Sequence, residues 1–174
     1  NMWIIPANAE KPIDKRTVRY EKACKIDLKP FVKWVGGKGQ LIEEIEKMFP
    51  VDGEKVLTKY AEPMVGGGAL FFSVLSRYNF EKLYISDINP ELINAYVAIR
   101  DDVEALIQKL NDLQMTFLPM DLNGRKYFYY NIREKFNALS LSKETSVEKA
   151  AYFIFLNKTC FNGLYRVNRK GLFN

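Results

Sequence analysis

The chain has 174 residues, enough for one ordinary domain or one domain with part of another, and 48% of them are hydrophobic, enough for a buried core. It contains no histidine, which excludes His-based acid–base catalysis and Ser-His-Asp triads, and its two cysteines, Cys24 and Cys160, form no C-x-x-C pattern for zinc or a disulfide framework. The net charge of +5 is uneven: residues 123–174 hold ten Lys and Arg against three Asp and Glu, whereas residues 1–122 are slightly acidic.

Residues 1–29 carry prolines and lysines without a clear period and are expected to be a weakly ordered extension. Leu41, Ile42, Ile45 and Met48 recur at helical spacing, predicting a short helix that stops at Pro50. Val56 to Ala61 predicts a strand feeding a glycine turn at Gly66, Gly67 and Gly68. Ala69 to Ser76 then predicts an apolar helix, Leu83 to Ser86 a second strand, and Pro90 to Ile99 a helix with proline in its first turn. Strand, glycine turn, helix, strand and acid make half of a doubly wound unit.

After Arg100 the period changes. Val103, Leu106, Ile107, Leu110 and Leu113 mark one amphipathic helix, Tyr127 to Leu139 a second, and Ser146 to Asn157 a third, more apolar one with N-cap chemistry in Thr145-Ser146. Three helices without intervening strands predict a helical module. Cys160 to Asn174 is rich in Asn, Arg and Gly and predicts an exposed turn or hairpin. No stretch is apolar enough to span a bilayer and no leader pattern is present, so the expectation is a soluble, cytoplasmic protein.

The glycine turn carries the chemistry. Asp87 follows Gly66 by 21 residues and Gly68 by 19. That matches the offset of roughly 20 residues at which a Rossmann-type unit presents a carboxylate to ribose hydroxyls. Glycines without side chains let a ligand approach the backbone. Alternatively the triple glycine serves a tight turn alone, and Asp87 caps the next helix; Asn89 is better placed for capping. A dinucleotide fingerprint does not close, because Phe71 stands where the third glycine belongs. A phosphate-binding loop fails too, since Gly39 follows Lys38 where Ser or Thr is required. A nucleoside-containing cofactor remains the expected ligand. In the C-terminal part the basic residues are interleaved with Tyr127, Phe128, Tyr129, Tyr130, Phe161 and Tyr165, which suits a phosphate backbone with bases to stack on; a solubilising charge over an aromatic core is equally compatible.

Four motifs occur in order: K-W-V-G-G-K from Lys33, E-P-M-V-G-G-G from Glu62, D-I-N-P-E-L from Asp87, and N-G-L-Y-R-V-N from Asn162. Over about residues 30–174 the chain closely resembles the Dam-like DNA adenine-N6 methyltransferases. The resemblance implies a Rossmann-like S-adenosylmethionine-dependent α/β fold, incomplete here, with an inserted helical DNA-recognition domain. It divides the chain into the 1–29 extension, a catalytic-domain half at 30–100, and a target-recognition domain at 101–174. Its implied function is methyl transfer to adenine N6 in double-stranded DNA, in G-A-T-C or a different tetranucleotide, by base flipping.

By the same resemblance Trp34 and Lys38 fall on cofactor-contacting positions, with an indole face for the adenine or sulfonium and an ammonium for the methionine carboxylate. Without the resemblance, Trp34 fits a core aromatic and Lys38 a solvated charge. Asp87 corresponds to the ribose-binding carboxylate, and Ile88 to an apolar residue packed on the adenine. Gly66 and Gly68 line the same bend. Lys33 corresponds to a base-reading position, Phe161 to the aromatic, usually tyrosine, that enters the duplex, Asn162 to a base contact, and Arg166 to a guanine reader. Phe161 keeps the stacking face of tyrosine and drops the hydroxyl; without the resemblance, Asn162-Gly163 fits a plain turn and Arg166 a phosphate contact or surface charge.

The family's catalytic D-P-P-Y tetrapeptide is not found, since the sequence has no Pro-Pro. The expectation is therefore an N-terminal portion with no catalytic residue of its own, inactive alone, poor in cofactor affinity, and without metal. The expected setting is bacterial or phage-encoded and nucleoid-associated. Two rival functions use the same features: a non-catalytic DNA-binding module, and a methyltransferase acting on RNA or protein.

Overall fold

The computed structural model describes residues 3–6, 28–50, 57–78, 80–139 and 146–174. It is a mixed α/β structure with three strands and six α-helices among those residues. The strands are β1 (Trp3–Pro6), β2 (Lys59–Pro63) and β3 (Lys82–Asp87), in the spatial order β1-β3-β2. β2 and β3 run parallel, with Glu62 opposite Ile85 and Pro63 opposite Ser86. β1 runs antiparallel to β3 on its other edge, with Trp3 opposite Asp87. No strand is expected there from periodicity, but Trp3, Ile4 and Ile5 are residue types that favour extended chain. The rest of the expected extension, residues 7–27, lies outside the described residues, as does the expected strand start at Val56.

The chain divides into two compact units: residues up to Pro30 with Gly36–Ile88, and Phe31–Val35 with Asn89–Asn174. The first unit holds the sheet, a 3-10 turn at Lys38–Leu41, α1 (Ile42–Lys47) and α2 (Ala69–Leu75). Parallel strands need a crossover, and α2 supplies it between β2 and β3. Arg77, just beyond α2, pairs with Glu46 of α1. Phe71 and Phe80 pack on Tyr60 of β2 at ring separations of 6.4 and 5.5 Å.

The second unit is helical: α3 (Pro90–Asp101), α4 (Val103–Phe117), α5 (Leu122–Ala138) and α6 (Val147–Thr159). Each begins at a side-chain cap, with Asn89, Asp102, Asp121 and Ser146 accepting from the backbone N–H groups of Leu92, Ala105, Gly124 and Lys149. The Asp121 cap explains why α5 starts five residues before the expected Tyr127. Its first turn, Leu-Asn-Gly-Arg, has no apolar period, and the cap rather than the pattern sets the boundary. α6 is buried almost all round, at Ala150, Ala151, Phe153, Ile154, Phe155 and Leu156, which makes it the central helix. Phe117 of α4 and Phe128 of α5 both meet Phe155 edge-on, at 5.2 and 5.7 Å.

The two compact units meet in sequence at Ile88/Asn89, so α3 groups with the later helices. The reason is polar as well as apolar. Asn94 of α3 exchanges two 2.9 Å hydrogen bonds with the backbone of Ser146 at the head of α6. The last residues form a short antiparallel turn around the Val167–Phe173 bridge. It is not wholly exposed: Phe173 is buried, and the Asn137 side chain both donates to its carbonyl and accepts from its N–H.

Candidate functional site

In the α/β unit the site is built at the C-terminal ends of β2 and β3. Beyond Pro63 the ladder runs on by one bond, from Val65 N–H to the Ser86 carbonyl at 2.9 Å. The chain then turns sharply, with Gly66 and Gly68 at φ of 56° and 82°. These are left-handed conformations that glycine adopts without a Cβ penalty. The Gly66 N–H donates to Asp87 Oδ2 at 2.9 Å. Asp87 is only 7% exposed, and the neighbouring Ile88 is 86% exposed. The acid therefore faces the glycine bend while an apolar side chain stands beside it in the open. Capping of α3 falls to Asn89, so the alternative role for Asp87 as its cap does not hold.

Lys38 reaches the same end of β2. Its ammonium donates to Glu62 Oε1 at 3.0 Å and to the Met64 carbonyl at 2.6 Å. Glu62 is 4% exposed, and its Oε2 accepts from the Tyr60 hydroxyl at 2.7 Å. Both carboxylate oxygens are thus satisfied, which a buried carboxylate requires. Burial first, then the bond to Glu62, drives the Tyr60 hydroxyl far above the ordinary phenol range. Met64 holds a positive φ of 56°, unusual outside glycine, and this presents its carbonyl to Lys38. Sequence reasoning missed Tyr60 and Met64. Only the i, i+2 spacing of Tyr60 and Glu62 on one strand face signals their pairing.

The remaining predicted residues, Lys33, Trp34, Phe161, Asn162 and Arg166, belong to the helical unit. Trp34 is stacked on Tyr165 at 5.7 Å and 24°, with Phe153 at 6.2 Å. Tyr165 in turn packs on Phe153 and Phe173. Burial, and then the charge of Glu91, push the Tyr165 hydroxyl up to about 12. Trp34 is therefore half-buried in an aromatic cluster whose other members the motif spacing did not reveal.

Phe161 to Gly163 form a single 3-10 turn after α6. Phe161 is 77% exposed. Asn162 sits at φ 57° and Gly163 at φ 66°, so two successive left-handed residues throw the chain outward. Asn157 joins this turn to Lys33: its side chain accepts from Lys33 N–H and donates to the carbonyls of Lys33 and Gly163, all at 2.9–3.0 Å. Sequence reasoning overlooked Asn157, although a carboxamide closing an apolar helical run is itself a signal. Arg166, Arg169 and Lys170 are exposed on the following extended segment and turn.

The family model of D12 class N6 adenine-specific DNA methyltransferases matches residues 34–174. The chain belongs to this D12 family. Among similar proteins, the type II methyltransferase M.MjaIII of Methanocaldococcus jannaschii is 48% identical over 86% of this chain and 52% of its own length. A DNA adenine methylase of Haemophilus influenzae is 39% identical over 86% of this chain and 47% of its own. One from Vibrio cholerae is 36% identical over 83% and 46%. The chain spans about half the length of these D12 relatives. Among the described residues no helix is long and apolar enough to cross a membrane, and no cluster of acidic, Cys or His side chains could hold a metal ion.

Proposed function

We propose that the protein takes part in S-adenosylmethionine-dependent methylation of adenine N6 in duplex DNA, within G-A-T-C, by a base-flipping mechanism. The observation that carries this reading is the Gly66–Asp87 bond: a buried carboxylate at a strand tip, aimed at a glycine bend. A carboxylate accepts more than one hydrogen bond, so Asp87 suits the paired hydroxyls of a ribose. Membership of the D12 family supports the same choice.

When bound, the donor supplies a methyl group on a positively charged sulfur. The chain's residues supply binding and orientation. Asp87 holds the sugar, exposed Ile88 lies against the adenine, and Lys38 meets the methionine carboxylate with the third proton of an ammonium whose other two go to Glu62 and Met64. Gly66 and Gly68 keep side chains out of the bend. Trp34, backed by Tyr165, offers its indole to the adenine or the sulfonium. The α/β unit then acts as part of a Rossmann-like methyltransferase domain, and the helical unit as a DNA-recognition module.

The exposed aromatic–basic turn of the helical unit reads the duplex. Phe161 wedges into the stack beside the extruded adenine, Asn162 and Lys33 meet base edges, and Arg166 pairs bidentately with guanine. Supplying the whole protein with methyl-labelled donor and a G-A-T-C duplex should label adenine N6. Label on RNA or protein instead, or no label on DNA, overturns the proposal.

The reading and anchoring roles separate by mutation. Arg166→Ala should cost about 1–3 kcal/mol against the guanine-containing site and flatten the preference for it. Lys170→Ala should weaken all duplexes alike and lower the salt dependence of binding by about one ion. Competition binding at two salt concentrations measures both, and identical behaviour of the two variants contradicts the division.

A further inference from the structure

We propose that Asn157 is a positioning residue for sequence readout, fixing Lys33 and the Phe161–Gly163 turn in one register. This deepens the DNA-reading role given above and rests on it. Lys33 lies 124 residues before Asn157, so neither local chain geometry nor a shared helix aligns it with the turn. One carboxamide does so instead. Its oxygen accepts from Lys33 N–H at 2.9 Å, and its nitrogen donates to the Lys33 carbonyl at 2.9 Å and the Gly163 carbonyl at 3.0 Å.

Three features make this more than core packing. First, Asn157 is 1% exposed in an otherwise apolar stretch of α6, where a polar side chain costs stability unless all its bonds are made. An apolar residue would fill that space without the requirement. Second, the bonds go to backbone on both partners, so they fix chain position while leaving the Lys33 side chain exposed. Third, Gly163 closes the bracket from the other side. A Cβ there would lie 2.6 Å from Lys33 Cδ and 2.8 Å from Lys33 Cβ, and its φ of +66° disfavours any other residue. Lys33 is thus pressed against the turn whose preceding residues are the outward Phe161 and Asn162. The base-facing groups of two distant stretches are set as one surface.

The chemistry limits what can replace Asn157. Aspartate can accept from Lys33 N–H but would set a carboxylate against two carbonyl oxygens, and leucine makes none of the three bonds. The test is the ratio of affinities of the whole protein for a G-A-T-C duplex and for duplexes with one base pair of the site replaced in each, compared at equal folded fraction. Asn157→Leu, Asn157→Asp and Gly163→Ala should each lower that ratio about tenfold or more, with the loss falling on the G-A-T-C duplex. A merely structural role would lower the melting temperature and weaken all the duplexes equally. Gly163→Ala keeps the Asn157 side chain while it crowds Lys33 and strains the turn at its positive φ, so it disturbs the same register from the other side even where an Asn157 variant fails to fold. Wild-type discrimination in Gly163→Ala, or in a folded Asn157 variant, overturns the positioning role and leaves DNA reading intact. A wild type that does not discriminate among duplexes overturns both.

Discussion

Asp87→Asn should lower S-adenosylmethionine affinity on the order of a hundredfold while leaving the fold in place. Asparagine keeps a side-chain oxygen where Asp87 Oδ2 accepts from Gly66 N–H, so the bend retains its partner. What it loses is charge. Hydrogen bonds to an ionised acceptor contribute about 1.5–3 kcal/mol each against about 1 for a neutral one, and two ribose hydroxyls are at stake. The difference sums to about 1–4 kcal/mol, and one asparagine N–H would also face a donor. Asp87→Ala should add instability of about 1–3 kcal/mol, because Gly66 N–H is then left without its acceptor. Calorimetric titration of both variants, alongside thermal unfolding, separates these effects. Unchanged affinity in Asp87→Asn would remove the carboxylate from the donor site, and with it the observation on which the proposed function stands.

That carboxylate was legible in the sequence because its position depends on few variables. A strand of fixed rise, a glycine bend and a short crossover helix bring the tip of the next strand back beside the bend. An offset of about 20 residues therefore carries geometric information. The Asn89 cap was legible for a similar reason, since capping is a local event within one turn. Lys38 and Glu62 were each visible, but not their bond, because pairing across 24 residues depends on how the bend is folded. The same holds more strongly for Trp34. Its motif was visible, yet the side chain it stacks on, Tyr165, lies 131 residues further along the chain. The unit boundary at Ile88/Asn89 was hidden because α3 follows directly from the β3 motif, and periodicity does not say which partner a helix face will choose. Its choice of α6 rests on polar groups, buried Asn94 and half-buried Glu91, that amphipathic spacing treats as exceptions.

Lys149→Met should destabilise the protein by about 3 kcal/mol, a melting-temperature drop on the order of 10 °C. Lys149 is a buried cation in the first turn of α6, where the helix dipole disfavours positive charge, so its presence needs compensation from elsewhere. The compensation comes from two other helices. Its ammonium donates to the Leu139 carbonyl at the C-terminal end of α5, the negative end of that dipole. It also pairs at 3.1 Å with Glu91 in the first turn of α3 and lies 5.1 Å from the centre of the Phe136 ring. One charge thus ties three helices together. Methionine fills the same volume but leaves Glu91 unpaired, and Glu91 Oε2 is already buried without a hydrogen-bond partner among the described residues. Removing one member of a buried pair costs more than removing both, because the survivor stays charged and desolvated. The double variant Lys149→Met with Glu91→Leu should therefore recover most of the stability lost by the single one. Thermal and denaturant unfolding of the three proteins tests this. A single variant within about 0.5 kcal/mol of wild type, or a double variant no more stable than the single, would show that the ion pair does not hold α3 and α5 to α6.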